Sequence, residues 1–494
     1  MFEYKLLFKL LLYLSFIIIL NCNAISLEQA VYQALNTNPE IKDKVYALVG
    51  VKKERDMALS AYYPRLNISY GIGVAQQKIV PSFNVQTGER VLRTEQTVTA
   101  SMNLFSGFNT YHDAQSQKHR ENAAQSYLNE YKTSIVMRTV ESYVNMIKQK
   151  AILQISKEIF LSHQEIYKKL EEYINSGMGK SSDLKFASAR LTLSEVNAVV
   201  HENNFIQLKI AFETVFGSVI DVDSLEEPFF DYVLPKSLEN AANIAFKNNS
   251  SIQVGIHNTK SARSNYKRSK SSYYPSLDLE ISKSILKETG PFEYSVESSN
   301  AMIYLSYSLY NGFMDKAIIE KEFTIYLQNN EYLLFTKRDI VSQLGISWVA
   351  SIKIQEQLEL LEKLRMFSKK TLEDYYEEFG IGRRTFLDIS SVKDDYDNAR
   401  QSYETAKYDL LLSKFRILNA MGVLEAYFLA KTNSLNLILK ENYDEEKSVN
   451  NIIQDINDKF KNKENFFNYD NSRYKSFDSM LKTNTSNDMS DLDN

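Results

Sequence analysis

Two stretches of this chain repeat each other at a fixed offset, so it must fold as two like units in tandem. Residues 26–70 open on Ser26-Leu27-Glu28-Gln29-Ala30 and later read Ser60-Ala61-Tyr62-Tyr63-Pro64. Residues 237–281 open on Ser237-Leu238-Glu239-Asn240-Ala241 and later read Ser271-Ser272-Tyr273-Tyr274-Pro275. Each matched residue lies 211 positions from its counterpart, with no gap. Further on, Asn103-Leu104-Phe105-Ser106-Gly107-Phe108 is echoed by Ser308-Leu309-Tyr310-Asn311-Gly312-Phe313. Gly177-Met178-Gly179 is echoed by Gly380-Ile381-Gly382, and Phe216-Gly217 by Met421-Gly422. An ordered set of this kind marks an internal tandem repeat. The chain divides into a leader, 1–24, a first structural repeat, 25–225, a second, 226–425, and a polar C-terminal tail, 426–494.

Within each repeat the hydrophobic period changes. Ala30, Ala34, Ile41, Val45, Leu48 and Val49 recur at helical spacing behind Ser26, a ready N-cap, and predict one helix running to about Tyr63. Pro64 and Pro275 then start strands, since the residue before proline is pushed to extended backbone. Leu66, Ile68, Tyr70, Ile72 and Val74 alternate with Asn67, Ser69, Gly71 and Gly73. Val98, Ala100, Met102 and Leu104 alternate with polar residues, as do Leu277, Leu279 and Ile281, while Ala301, Ile303, Leu305, Tyr307 and Leu309 oppose a mixed face that ends in Ser306 and Ser308. These are four amphipathic strands in two hairpins, with polar loops near 80–92 and 287–295. Four strands close no barrel with a lumen. They must either pack on a helix in a soluble α+β domain or pool with strands of other copies.

From Gly107 to about Tyr173 there is no proline or glycine, and from Gly312 to about Phe379 only Gly345 interrupts. Helices of that length reach about 100 Å and need coiled-coil or barrel-like packing. Ile340, Leu344, Ser347, Ser351, Ile354, Leu358 and Leu361 follow a 4-3 spacing, while Val140, Val144, Ile147, Ala151, Ile155 and Ile159 drift toward 4-4. The two Gly-x-Gly sites read as helix ends and tight turns, after which helices 183–216 and 386–420 run back.

Composition narrows the function classes. With 58 basic and 62 acidic residues the net charge is −4, so no basic excess for nucleic acid exists. A mean hydropathy of −0.34 excludes a polytopic helical membrane protein. Lys5 and Lys9, the apolar run Leu10 to Leu20 and small Ala24 read as a signal peptide, against a single membrane anchor. Cys22 is the one cysteine, and His112, His119, His163, His201 and His257 show no metal spacing. No cofactor or catalytic constellation is expected. Lys260, Arg263, Lys267, Arg268 and Lys270 read as a solvated helix face, and the Asn-, Asp-, Lys- and Ser-rich tail as partly disordered at its end.

In the order of these motifs the chain resembles the TolC-like outer-membrane efflux and export duct family, across roughly residues 25–425. The resemblance implies a homotrimer pooling four strands per chain into a 12-stranded β-barrel in outer-membrane lipid. A long antiparallel α-helical coiled-coil tunnel would continue it into the periplasm. It further implies passive exit of drugs, metals or a secreted polypeptide, by tripartite efflux or type I secretion. An inner-membrane transporter would be reached through a periplasmic adaptor docking on the tips at Gly177, Gly179, Gly380 and Gly382. Carried over residue by residue, Arg384 and Asp388 fall at the family's periplasmic gate. Ser391 replaces a second acidic residue there, and Phe379 stands where a hydrogen-bonding tyrosine often sits. Asp183 is the first-repeat counterpart of Asp388, two residues nearer its Gly-x-Gly. Without the resemblance, Arg384 and Asp388 read as an exposed i,i+4 ion pair. The rival reading of the whole chain is an exported coiled-coil scaffold without a pore.

Overall fold

A computed structural model describes residues 25–76, 90–177, 180–289 and 293–435. The leader 1–24, Gly179 and the tail from 436 lie outside the described residues. The first repeat runs through α1 (Leu27–Thr37), α2 (Pro39–Leu59), β1 (Arg65–Gln76), β2 (Arg90–Ser106), α3 (Asn109–Asn175) and α4 (Ser181–Phe216). The second runs through α5 (Leu238–Asn248), α6 (Ser250–Ser269), β3 (Ser276–Thr289), β4 (Tyr294–Ser306), α7 (Met314–Gly380) and α8 (Phe386–Met421), with α9 (Leu424–Leu435) after it. Helices α3 and α7 each have 67 residues, and α4 and α8 each have 36.

The duplication extends to backbone angles. Phe108 and Phe313, both non-glycine, take left-handed φ of 68° and 61° just before α3 and α7. Such angles strain a β-carbon and persist only where surrounding structure imposes them. Here each follows a left-handed glycine, Gly107 or Gly312, in the turn from strand to helix.

The helix expected from Leu27 onward is two helices. Pro39 supplies no N–H to continue the first turn of hydrogen bonds, and Asn38 turns extended (ψ 121°). The Asn38 side chain then accepts from the Glu40 N–H at 2.8 Å, capping α2. Asn249 does the same for α6, accepting from Ser251 at 3.0 Å. The hairpins also differ from expectation at their far ends. Strand β2 begins at Arg90, β3 reaches Thr289 and β4 begins at Tyr294, so residues expected in the loops extend the ladders. The backbone pairs there without an apolar alternation to announce it. At its other end β4 stops at Ser306, short of Leu309, where no partner strand is present.

All four strands form one antiparallel sheet in the order β1-β2-β3-β4. The hairpins share one register: Leu66 faces Ala100 as Leu277 faces Leu305, and Ile68 faces Val98 as Leu279 faces Ile303. Between them Ala100 faces Ile281 and Met102 faces Leu279. One sheet face therefore collects Leu66, Ile68, Tyr70, Ile72, Ala100, Met102, Leu279, Ile281, Ile303 and Leu305. The other carries Asn67, Ser69, Thr97, Thr99, Ser282 and Ser284, with Asn103 donating to Asp278 at 2.7 Å and Ser284 paired with Ser298 at 2.8 Å. Strands β1 and β4 are unpaired edges.

The helices lie side by side. Helix α3 packs against α2 and α6 over its first half and against α4 and α8 over its second. Helix α7 packs chiefly on α8 and α6, with a smaller contact on α5. Cross-pairs run antiparallel along the α3–α8 seam: Glu141 with Arg416 at 2.9 Å, Lys148 with Asp409 at 3.0 Å, Glu158 with Arg400 at 2.7 Å and His163 with Asp394 at 3.2 Å. Tyr143 and Phe212 pack edge-on at 5.5 Å and Phe415 stacks on Phe428 at 5.7 Å, all fully buried or nearly so. The Tyr143 hydroxyl donates toward the carbonyls of Ile25 and Glu226 at 2.9 and 2.7 Å, tying the chain's start and the inter-repeat strap to α3. Burial pushes that phenol far up.

The basic set on α6 is not simply solvated. Arg268 is ion-paired with Asp113 of α3, and Lys270 lies over the Tyr266 ring at 4.3 Å. Charge runs read from sequence carry no information about partners on other helices.

Candidate functional site: the helix-reversal tips

Each long helix ends by a left-handed glycine. Gly177 has φ +80° and donates to the Ile174 carbonyl at 2.9 Å; Gly382 has φ +77° and donates to Phe379 at 2.9 Å. A β-carbon at either would be strained. Gly380 is different: it is the last residue of α7 and is not left-handed. Gly177 thus corresponds in conformation to Gly382, not to Gly380 as the letters suggest. That offset of 205 is also the offset of α3 to α7 and of α4 to α8. With the tips so aligned, Asp183 and Asp388 are strict counterparts, each the third residue of its return helix. The apparent two-residue displacement of Asp183 came from pairing the wrong glycines.

The two aspartates are held differently. Thr385 is the N-cap of α8 in a complete capping box. The Asp388 carboxylate accepts from the Thr385 N–H and hydroxyl, both at 2.8 Å. Those bonds, with a smaller pull from Arg384, hold its pKa below the usual carboxylate value. At α4 the N-cap is Lys180, which offers no side-chain cap. Asp183 accepts instead from its neighbour Ser182 at 3.1 Å and lines a small cleft with Phe186, Phe386, Leu387 and Ser390.

Arg384 and Asp388 do not hydrogen-bond each other. The Arg384 Nε donates to Glu378 at 2.6 Å, and its guanidinium lies 4.0 Å from the Tyr375 ring centre. Phe379 packs on Phe386, ring centres 4.5 Å apart, and Tyr173 of α3 reaches the same ring at 6.3 Å. Ser391 is exposed on α8. The tip is thus an aromatic clasp across both hairpins with Arg384 tied back to α7, and the half-buried Asp388 held in the first turn of α8. Sequence reading missed Glu378, Tyr375 and Phe386, whose roles depend on a turn that brings α7 back over α8.

A second polar cluster lies deeper. Asp394 pairs with His163 of α3 and with Arg190 of α4 at 3.1 Å, beside a cavity of about 160 Å³ between the three helices. Asp397, almost fully buried, pairs with Lys393 at 2.9 Å. Among the described residues no group of three or more metal-ligating side chains occurs.

A four-stranded sheet apolar on one face, carried on two pairs of long antiparallel helices, defines the fold class. The chain belongs to the outer membrane efflux protein family, whose model matches residues 30–218 and 241–423, and it is an outer-membrane protein. It is similar to outer membrane protein TolC of Escherichia coli (strain K12), 21% identical over 326 residues, 63% of this chain and 66% of that protein. It is also similar to the proteases secretion protein PrtF of Dickeya chrysanthemi, 18% identical over 298 residues, 59% of this chain and 64% of that protein. The matched parts span just under two thirds of these relatives. Among solved structures, the outer-membrane channel OprN superposes with TM-score 0.71 at 16% identity, over 80% of this chain and 89% of that one. The Campylobacter jejuni CmeC outer membrane channel does so at 0.70 and 16% identity, over 81% and 86%. At such identities the likeness is one of fold.

Proposed function

We propose that this chain is the outer-membrane exit duct of an efflux or type I secretion system. Three copies pool four strands each into a 12-stranded barrel continued by a helical tunnel in the periplasm. The observation that carries the reading is the coincidence of two open edges. Strand β1 is an unpaired edge and follows α2; strand β4 is the other edge and leads into α7. The sheet and the helical layer therefore end on the same two sides, and one contact between copies satisfies both. Unpaired strand edges and a wide apolar sheet face are untenable for a lone chain in water. In a closed barrel the face bearing Ile68, Tyr70, Ile72, Ile303 and Leu305 meets lipid, and the Asn, Ser and Thr face meets water.

The tips bearing Gly177, Gly179, Gly380 and Gly382 dock a periplasmic adaptor that links the duct to an inner-membrane transporter. Transport through the duct is passive. Asp388 from each copy forms a ring at the closed end, with Asp183 as its outer counterpart, while Arg384 and the Phe379–Phe386 clasp hold the end shut. A ring of carboxylates favours cations.

The purified protein is tested by mass in detergent and by planar-bilayer recording. A trimer with discrete conductance is expected; a detergent-independent monomer without conductance overturns the reading. Asp388→Asn is expected to lower cation preference, and unchanged ion selectivity removes Asp388 from the gate.

A further inference from the structure

The two hairpins share a register, but the apolar face of the sheet is not the same on both. On β1 that face stays apolar from Leu66 to Val74, whereas on β3 it reads Leu277, Leu279, Ile281, Lys283, Ile285, Lys287. At the repeat offset of 211, Lys283 stands where β1 has Ile72, and Lys287 where it has Gln76. Beside Lys283 the same face carries a groove of about 390 Å³, lined by Val98, Ala100, Ile281, Lys283, Ser299 and Ala301. Its floor is low because Ala100 and Ala301, which flank Ile281 on the two neighbouring strands, end at the β-carbon. In the first hairpin Tyr70 takes the place of Ile281 and faces Gln96, so larger side chains stand there.

We propose that this groove binds a phosphorylated lipid of the outer leaflet, its phosphate held by Lys283 and Lys287 and an acyl chain laid over Ala100 and Ala301. The inference rests on the barrel proposed above and adds a ligand and the residues that hold it.

Depth and charge both fit such an occupant. A strand crosses the hydrocarbon in about 9–11 tilted residues. Counted from Ser276, where β3 leaves the helical layer, Lys283 is the eighth residue and Lys287 the twelfth. They therefore straddle the outer edge of the apolar band, where lipid phosphates lie. A lysine stem runs along apolar surface while its ammonium stays at that boundary. Both lysines are exposed. Lys283 pairs with Glu297 of β4 at 2.5 Å, and Glu297 is the one acidic residue on this face of β3 and β4. Two cations against one carboxylate leave the patch positive. The lysines are four residues apart on one strand, about 13 Å, and their long stems let both ammonium groups reach one headgroup. Below them Val98 and Ile281, 42% and 51% exposed, wall the groove with apolar surface.

The test uses the full-length protein in a neutral detergent, with lipid A as the probe and native mass spectrometry to count lipid retained per copy. Lys283→Gln with Lys287→Gln should weaken retention by about fivefold per lysine. Glu297→Gln, which removes the competing carboxylate, should strengthen it, and it carries the test if the lysine variant fails to insert. Ala301→Leu keeps every charge but fills the groove, so it should also displace the lipid. Lipid A stripped of its phosphates should bind the parent protein and the lysine variant alike. Equal retention of intact lipid A by parent and variants overturns the site. Loss in the lysine variant with no effect of Ala301→Leu overturns it too, since charge without a groove then suffices. A protein that conducts as a trimer yet fails these arms keeps the barrel and loses the lipid site; one that neither associates nor conducts loses both.

Discussion

Helices α3 and α7 have the same length, begin after the same left-handed turn and end at the same kind of tip, yet their surroundings are opposite. Helix α3 buries twenty side chains and α7 buries four, Ile340, Leu344, Ser351 and Leu372. Helix α3 sits in the middle of the layer, and α7 sits at its edge. Val144 is fully buried, while its counterpart Val349 is 56% exposed. The difference teaches that apolar residues on α7 are not a failed core. In the proposed ring of copies they are the half of a core that one chain cannot complete.

That contrast can be broken most forcefully at the valines. Val144→Asp buries an unpaired carboxylate and should cost several kcal/mol, enough to block folding. Val349→Asp should change the stability of the separated chain by about 0.5 kcal/mol or less while preventing association of copies. Denaturant unfolding and detergent mass measure the two effects. Equal behaviour of the variants would remove the distinction between centre and edge.

The next effect concerns acid. His119 of α3 and His257 of α6 stack with ring centres 6.5 Å apart. Burial first, then nearby lysines, hold both pKa values below the ordinary histidine value. The unfolded chain therefore takes up protons first as pH falls, and stability is lost from about pH 6.5 downward until the folded pKa values are passed. Thermal midpoints should fall between pH 7 and about pH 5, and His119→Gln with His257→Gln should flatten that slope. A profile identical in both proteins would exclude the pair as its source.

The smallest effect lies at the tips. Thr385→Ala should cost about 1 kcal/mol of local helix stability at α8. Lys180→Thr, which supplies the missing cap above Asp183, should slow amide exchange in the first turn of α4. No change in exchange at either tip would show that caps do not distinguish them.

Much of this architecture was legible in the chain because each helix and strand is bounded by a residue with a fixed backbone preference. Pro64, Pro275 and the glycines after the strands placed all four strands and both long helices. Pro39 carried the same kind of signal and marks the break between α1 and α2. What stayed illegible depends on distant partners. No pattern on α6 reveals that Arg268 answers Asp113, or on α8 that Asp394 answers His163 and Arg190. At the tips, matching glycines by letter paired Gly177 with Gly380, whereas φ pairs it with Gly382. The residues of the candidate gate were visible as letters, but the bonds that free Asp388 from Arg384 were not.

The unbroken run of α7 from the end of the sheet to the reversal has a mechanical consequence. A stiff lever about 100 Å long swings its far end by about 5 Å for a tilt of only about 3° at its root. In the proposed duct, dilation at the periplasmic mouth would therefore ask almost nothing of the strands, and the membrane seal would stay watertight throughout a stroke.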